Sequence, residues 1–207
     1  MFQPRRLALG VACALMLAAP PLSAETPPDS LVMAFQIDDL ITLDPAEVFE
    51  FSGAEYAANV YDRLVTYPVD DVEDLRGHVA ESWEIADDGR TYTFKVRDGI
   101  TFHSGNPLTA EDAAWSLARV VKLNKTPSFI LTQFGFTPEN VDDRIKVVDD
   151  RTFTVELDKP YAPTFFLYCL TATVGSVVDK QLVLEHEQDG DMGYAWLRTA
   201  SAGSGPF

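Results

Sequence analysis

The residues from which chemistry could be assembled are few and widely spaced. Histidines stand at positions 78, 103 and 186, none in a ligand-spaced pair, so each reads as a surface or turn histidine. His186-Glu187 opens like the two-histidine zinc-protease motif, but no histidine follows four residues later. Asp70-Asp71-Val72-Glu73-Asp74 lacks the alternating ligands and central glycine of a calcium loop and reads as a solvated acidic loop. There is no glycine-rich phosphate loop and no Gly-x-Ser-x-Gly elbow. The paired acids Asp87-Asp88 and Asp149-Asp150 fall at predicted turns, where hairpin geometry already accounts for them. With no nucleophile–base pair to build on, the expectation is a protein without catalytic residues, metal or cofactor. A secreted hydrolase is the rival reading.

Composition narrows the partners. Sixteen basic and 32 acidic residues give a formal charge of −16 over 207 residues. A surface this acidic repels phosphate backbones and anionic lipid, which argues against nucleic acid and membrane surfaces as partners. Met1 to Arg6 is basic, Leu7 to Ala19 is apolar, and Pro20 to Ala24 ends in Leu-Ser-Ala. That is the layout of a cleavable secretory signal over residues 1–24, too short to span a bilayer. Gly10-Val11-Ala12 ahead of Cys13 is a poor approach for lipidation, so no lipid anchor is expected. Cys169 is then the one cysteine of the mature chain: either a buried thiol among Leu167, Tyr168 and Leu170, or half of a pair completed beyond residue 207.

The positioning elements follow in order. Leu31 to Ile37 is a nearly continuous apolar run, expected to be a strand buried on both faces. Asp44-Pro45 fixes an extended turn, and Ser52 is placed to cap a helix from about Gly53 to Val65. In the stretch Ala80 to Gly105, Tyr92, Phe94 and Val96 alternate with Thr91, Thr93, Lys95 and Arg97 around the Asp87-Asp88-Gly89 turn, which predicts a hairpin. Thr109 with Glu111 and Asp112 starts a helix that buries Ala113, Leu117, Val120 and Val121 and stops near Leu123-Asn124. Phe129, Phe134 and Phe136 follow in an aperiodic stretch, either as a satellite of the core or as a ligand lip. Val141 to Leu157 reads as a second hairpin, Thr164 to Leu170 as a helical turn or two, and Thr173 to Val178 as a short strand. Asp179 to Gln188 reads as an amphipathic helix.

Several of these stretches resemble one family. Ala80-Glu81-Ser82-Trp83, Asp88-Gly89-Arg90-Thr91-Tyr92-Thr93-Phe94, Arg97-Asp98-Gly99 and Thr109-Ala110-Glu111-Asp112 follow one another as in the family 5 extracellular solute-binding proteins. Leu43-Asp44-Pro45, Val60-Tyr61-Asp62-Arg63-Leu64-Val65, Asp149 to Val155 and Gly203-Ser204-Gly205-Pro206-Phe207 extend the likeness over essentially all of the mature chain. These are the dipeptide, oligopeptide, nickel and opine receptors of bacterial ABC importers. The resemblance implies an α/β fold of the type II (cluster C) periplasmic-binding-protein kind, with a mixed sheet and an extra α/β subdomain. It also implies that the chain is part of lobe one of a two-lobe protein that closes by hinge motion. On that reading residues 25–55 are the first segment of the lobe, 56–190 the extra subdomain, and 191–207 the start of the return.

The resemblance further implies a monomeric periplasmic receptor that delivers a small-molecule or peptide ligand to a permease and ATPase complex. Presentation of the solute to a chemosensor is the alternative role. Ligand-lining positions carried over are Phe49, Glu50, Phe51 and Ser52, just before the first helix, together with Phe129 and Gln36. An acid in this segment pairs a ligand amine in relatives, which Glu50 could do. That acid falls one place away, where Phe49 stands. Two phenylalanines there suggest an apolar or aromatic ligand face, with core packing as the competing reading.

Overall fold

The computed structural model describes residues 26–30, 32, 34 and 36–207. The signal-sequence expectation over residues 1–24 lies outside them. The chain divides into an N-terminal unit, Met1–Gln36, and a second unit, Ile37–Phe207, which holds every regular element given below. Of the strand expected over Leu31 to Ile37, Leu31, Met33 and Phe35 lie outside the described residues. Val32, Ala34, Gln36 and Ile37 belong to no strand, and no sheet ladder among the described residues includes them.

Helix α1 (Phe51–Val60) is followed by β1 (Val65–Thr66) and β2 (Arg76–Gly77), a short antiparallel pair. The helix is one turn shorter than its sequence suggests, because the chain turns extended at Tyr61. Main-chain pairing to a distant segment outweighs helix propensity there: Val177 N donates to Asp62 O at 2.9 Å and Leu64 N to Gly175 O at 3.1 Å. Ser52 is not the cap. The helix begins one residue before it, with Glu50 at the N-cap position.

Strands β3 (Ala80–Ile85) and β4 (Thr91–Val96) form the expected hairpin, with Trp83 opposite Phe94 and Ile85 opposite Tyr92. The turn is held by Asp88, whose carboxylate accepts from Arg90 N at 2.8 Å and from Thr91 N at 3.0 Å. Gly89 takes the left-handed conformation, φ +67°, that a side chain would strain. Helix α2 (Ala110–Leu123) starts on a capping box between Thr109 and Asp112 and ends on Asn124 in the left-handed region.

Beyond it, a 3₁₀ turn (Thr126–Ser128) runs into α3 (Phe129–Thr132), then α4 (Val141–Arg144), β5 (Ile145–Asp149) and β6 (Thr152–Glu156). The four longer strands form one antiparallel sheet in the order β3-β4-β6-β5. Tyr92, Phe94, Val96, Phe153 and Val155 are all buried on it, with Phe94 and Phe153 stacked at 5.2 Å. Helix α2 lies against β5 and β6 and contributes Ala113, Leu117, Val120 and Val121 to the same core. Each such Phe, Leu or Val contributes about 1.5–3 kcal/mol by leaving water. Phe134 and Phe136 belong to this core, while Phe129 is on the surface.

The chain closes with α5 (Pro163–Cys169), a 3₁₀ turn (Thr173–Gly175), α6 (Lys180–Glu185) and α7 (Tyr194–Leu197). The strand expected over Thr173 to Val178 is replaced by that turn and, among the described residues, a single bridge from Ser176 to Arg63. Cys169 is a half-buried free thiol, and burial pushes its pKa up. A second apolar cluster joins α1, α6 and α7 through Ala57, Val60, Tyr61, Val178, Val183, Leu197 and Ala202. The Gly203-Ser204-Gly205 turn sits on the end of α1, where Gly205 N donates to Val60 O at 3.0 Å. A Cβ on Gly203 would fall 1.9 Å from that same carbonyl oxygen, which is why glycine stands there.

Candidate functional site

The segment that presents Phe49 to Ser52 is anchored from below. Asp44, fully buried, receives Arg119 Nη1 at 2.8 Å and Nη2 at 2.6 Å, and Arg119 is itself only 1 % exposed. Asp44 Oδ1 also accepts from Ala46 N at 2.9 Å, and Arg119 Nε donates to Met192 O at 2.8 Å. A buried ion pair is tolerable only when its remaining donors and acceptors are met in this way. The Asp44 carbonyl then takes the amides of Glu47 and Val48, which turns the chain and delivers the next four residues to the surface.

Phe49, Glu50, Phe51 and Ser52 are brought together with Phe129 in part. The Phe49 and Phe129 rings meet edge to face at 5.7 Å, and both are more than half exposed. Phe51, at the first turn of α1, is 93 % exposed, an unusual position for so apolar a side chain. Within this chain these three rings lie outside the packed core. The Glu50 carboxylate folds back on its own loop, accepting from Phe49 N at 2.9 Å and Ile41 N at 3.1 Å. It retains further lone-pair positions for an outside donor. Ser52 is turned toward Asp39: its amide donates to Asp39 Oδ2 at 3.2 Å, and hydrogen bonds from its side chain and backbone hold the Asp39 carboxyl below its ordinary range. Gln36 belongs to the N-terminal unit, and the other five belong to the second unit.

Phe49, Glu50 and Phe51 line a groove of about 400 Å³ with Arg63, Tyr67, Ile130 and the Thr171–Thr173 segment. A second hollow of about 250 Å³ lies on the other side of Phe49 and Glu50, bounded by Ile41, Glu47 and Thr126. The floor is braced by Thr173 Oγ1, which donates to Val48 O at 3.1 Å. Phe129 does not line the first groove but supports the Phe49 ring that does. Its lining offers aromatic faces, one carboxylate and one guanidinium. Among the described residues no cluster of three or more His, Cys, Asp or Glu is arranged to hold a metal ion.

Sequence reasoning missed Arg63, Tyr67 and Arg119. Arg63 Nη1 donates to Thr171 O at 2.6 Å, while its Nε is buried and has no acceptor among the described residues. A buried donor left unmet costs about 1–3 kcal/mol. Burial lowers the Arg63 pKa, opposed by Tyr67 beside it. The only signal in the sequence was an arginine set between the buried Tyr61 and Leu64.

Comparison with known proteins places this geometry. Solved structures of binding proteins share the fold. The Campylobacter jejuni NikZ complex with Ni(L-His) matches with TM-score 0.65 and 21% identity, over 87% of this chain and 33% of that one. The Helicobacter pylori DppA complex with the peptide STSA matches with TM-score 0.61 and 27% identity, over 80% and 34%. The architecture is thus that of part of a type II periplasmic binding protein. The model for bacterial extracellular solute-binding proteins, family 5 Middle, matches residues 74–207, and the chain belongs to that family of solute-binding transport proteins. Among curated relatives, the probable D,D-dipeptide-binding periplasmic protein DdpA of Escherichia coli is 32% identical over 209 aligned residues, covering 100% of this chain and 37% of that protein. This chain therefore spans little more than a third of that relative's length.

Proposed function

We propose that this chain is part of the ligand-binding lobe of a periplasmic receptor that captures a short peptide or opine-like solute. The receptor passes the solute to the permease and ATPase of an inner-membrane ABC importer. Residues 1–24 direct export and are cleaved, no lipid anchor is added, and the mature receptor works as a monomer in the periplasm. Residues 25–55 open the lobe, 56–190 form its extra subdomain, and 191–207 begin the return. No bond is made or broken in its function.

The observation that carries this reading is the exposed pair Phe49 and Phe51 lining a groove of the size that small-ligand sites adopt, with the exposed Phe129 ring against Phe49. Exposed apolar rings in one patch mark an interaction site more often than they mark nothing. Family membership and the D,D-dipeptide and peptide ligands named for relatives support the ligand class. Glu50 offers an acceptor for a ligand amine, Phe49 and Phe51 the apolar walls, and Phe129 the brace. Ser52 acts through Asp39 rather than on the solute, and Gln36 completes the set from the N-terminal unit. The test is calorimetric titration of the full-length protein with L-di- and tripeptides, D,D-dipeptides and opines, beside mass spectrometry of whatever co-purifies. Tight binding of one class supports the reading. Binding of none, with nothing co-purifying, overturns it.

A further inference from the structure

We propose that Arg63 is the groove's recognition residue for a ligand carboxylate, so that the solute taken carries one carboxylate on an apolar body. This rests on the solute-binding reading above and adds the ligand's charge to it. A guanidinium has five N–H donors in a fixed fork. In Arg63 Nη1 donates to Thr171 O at 2.6 Å and the Nε–H is buried without an acceptor, while Nη2 has no partner among the described residues and is not shut off from the groove that Arg63 lines. No ion pair to Arg63 forms among the described residues, although acids outnumber bases 32 to 16. Arg119 in the same chain shows the satisfied alternative: both Nη groups on one buried carboxylate and Nε on a carbonyl.

The Arg63 backbone is also held in place, and the Thr171 carbonyl steadies its side chain. The Arg63 backbone bridges to Ser176 on one side, and its carbonyl accepts from Val79 N at 2.9 Å on the other. Preorganisation of this kind is what lets one charged contact discriminate. The remaining groove walls define the rest of the ligand. Phe49, Phe51 and Tyr67 offer apolar faces, and Glu50 repels a polyanion while leaving room for a cationic group. A phosphate-rich solute is excluded on that ground, and a zwitterion with an apolar side chain fits.

The test uses the full-length protein and paired probes: L-Ala-L-Phe and D-Ala-D-Ala, each as the free acid and as the C-terminal amide. Charge-assisted hydrogen bonds of this type are worth about a tenfold to hundredfold in affinity. The wild type is expected to prefer at least one free acid over its amide by that factor. Arg63→Gln is expected to bind acid and amide alike, and Arg63→Lys, which keeps the charge without the fork, to show a reduced preference. If Arg63→Gln does not fold, Arg63→Lys decides, and an undiminished preference there overturns the proposal. Equal binding of acid and amide by the wild type, or a preference retained in Arg63→Gln, overturns the role of Arg63 and leaves solute capture standing. Failure of all four probes overturns the carboxylate assignment, and solute capture falls with it only if tripeptides and opines also fail to bind and nothing co-purifies.

Discussion

Replacing Arg119 by methionine tests whether the Leu43-Asp44-Pro45 motif works as an anchor. The substitution keeps most of the side-chain volume and strips Asp44 of both its guanidinium contacts. The carboxylate is then fully buried with the Ala46 amide at 2.9 Å as its remaining side-chain partner, and the Met192 carbonyl loses its donor as well. Removing one partner of a buried pair costs about 3–5 kcal/mol, because a charge is left uncompensated. For a chain of this size that lowers Tm by about 6–20 °C. Circular-dichroism melts of the variant beside wild type at pH 7 should show the drop. The double variant Asp44→Leu/Arg119→Met should recover much of the loss. A drop of under about 2 °C, or a double variant no more stable than Arg119→Met alone, would refute the reasoning.

Other consequences are direct. Gly203→Ala drives a Cβ into the Val60 carbonyl and should cost about 1–3 kcal/mol in denaturant unfolding, with glycine-like stability excluding the close approach. Phe129→Ala removes the ring that braces Phe49; stability should change by about 0.5–1.5 kcal/mol while solute affinity falls several-fold, and an unchanged affinity would contradict the brace. Asp88 has its pKa lowered first by the Arg90 amide and then by Thr91, so its contribution is present above its ordinary 3.8 and lost as pH falls through the depressed value. Asp88→Asn should thus lower Tm at pH 7, with the two melting curves converging at pH well below 3.8; a gap that persists in acid would count against the turn role.

What the sequence disclosed followed local physics. The alternation of Tyr92, Phe94 and Val96, the Asp88-Gly89 turn and the Thr109–Asp112 capping box are each decided within a few residues, and each stands where expected. The failures are places where distant pairing decided the outcome. Helix α1 stops at Val60 because Asp62 and Leu64 pair with Gly175 and Val177, and Ser52 is drawn to Asp39 instead of capping. Arg119 was hidden for a related reason. Asp112, Ser116 and Arg119 recur at helical spacing as a polar stripe, which looks solvated in sequence yet is buried. Ser116 Oγ donates to Asp112 O and accepts from Val178 N, and Arg119 meets Asp44 seventy-five positions away. At the candidate site, family likeness pointed to Phe49, Glu50 and Phe51, but it carried no signal for Arg63, whose significance lies in a missing partner.

The account stands or falls on whether the exposed rings before α1 meet a solute. Phe51 decides it best, because at 93 % exposure its removal should leave Tm within about 1 °C of wild type. Calorimetric titration of wild-type and Phe51→Ala full-length protein with the best-binding peptide or opine is the measurement. An affinity lower by about tenfold in Phe51→Ala at unchanged Tm is the predicted result. Equal affinity in the two proteins would contradict it and place the solute elsewhere.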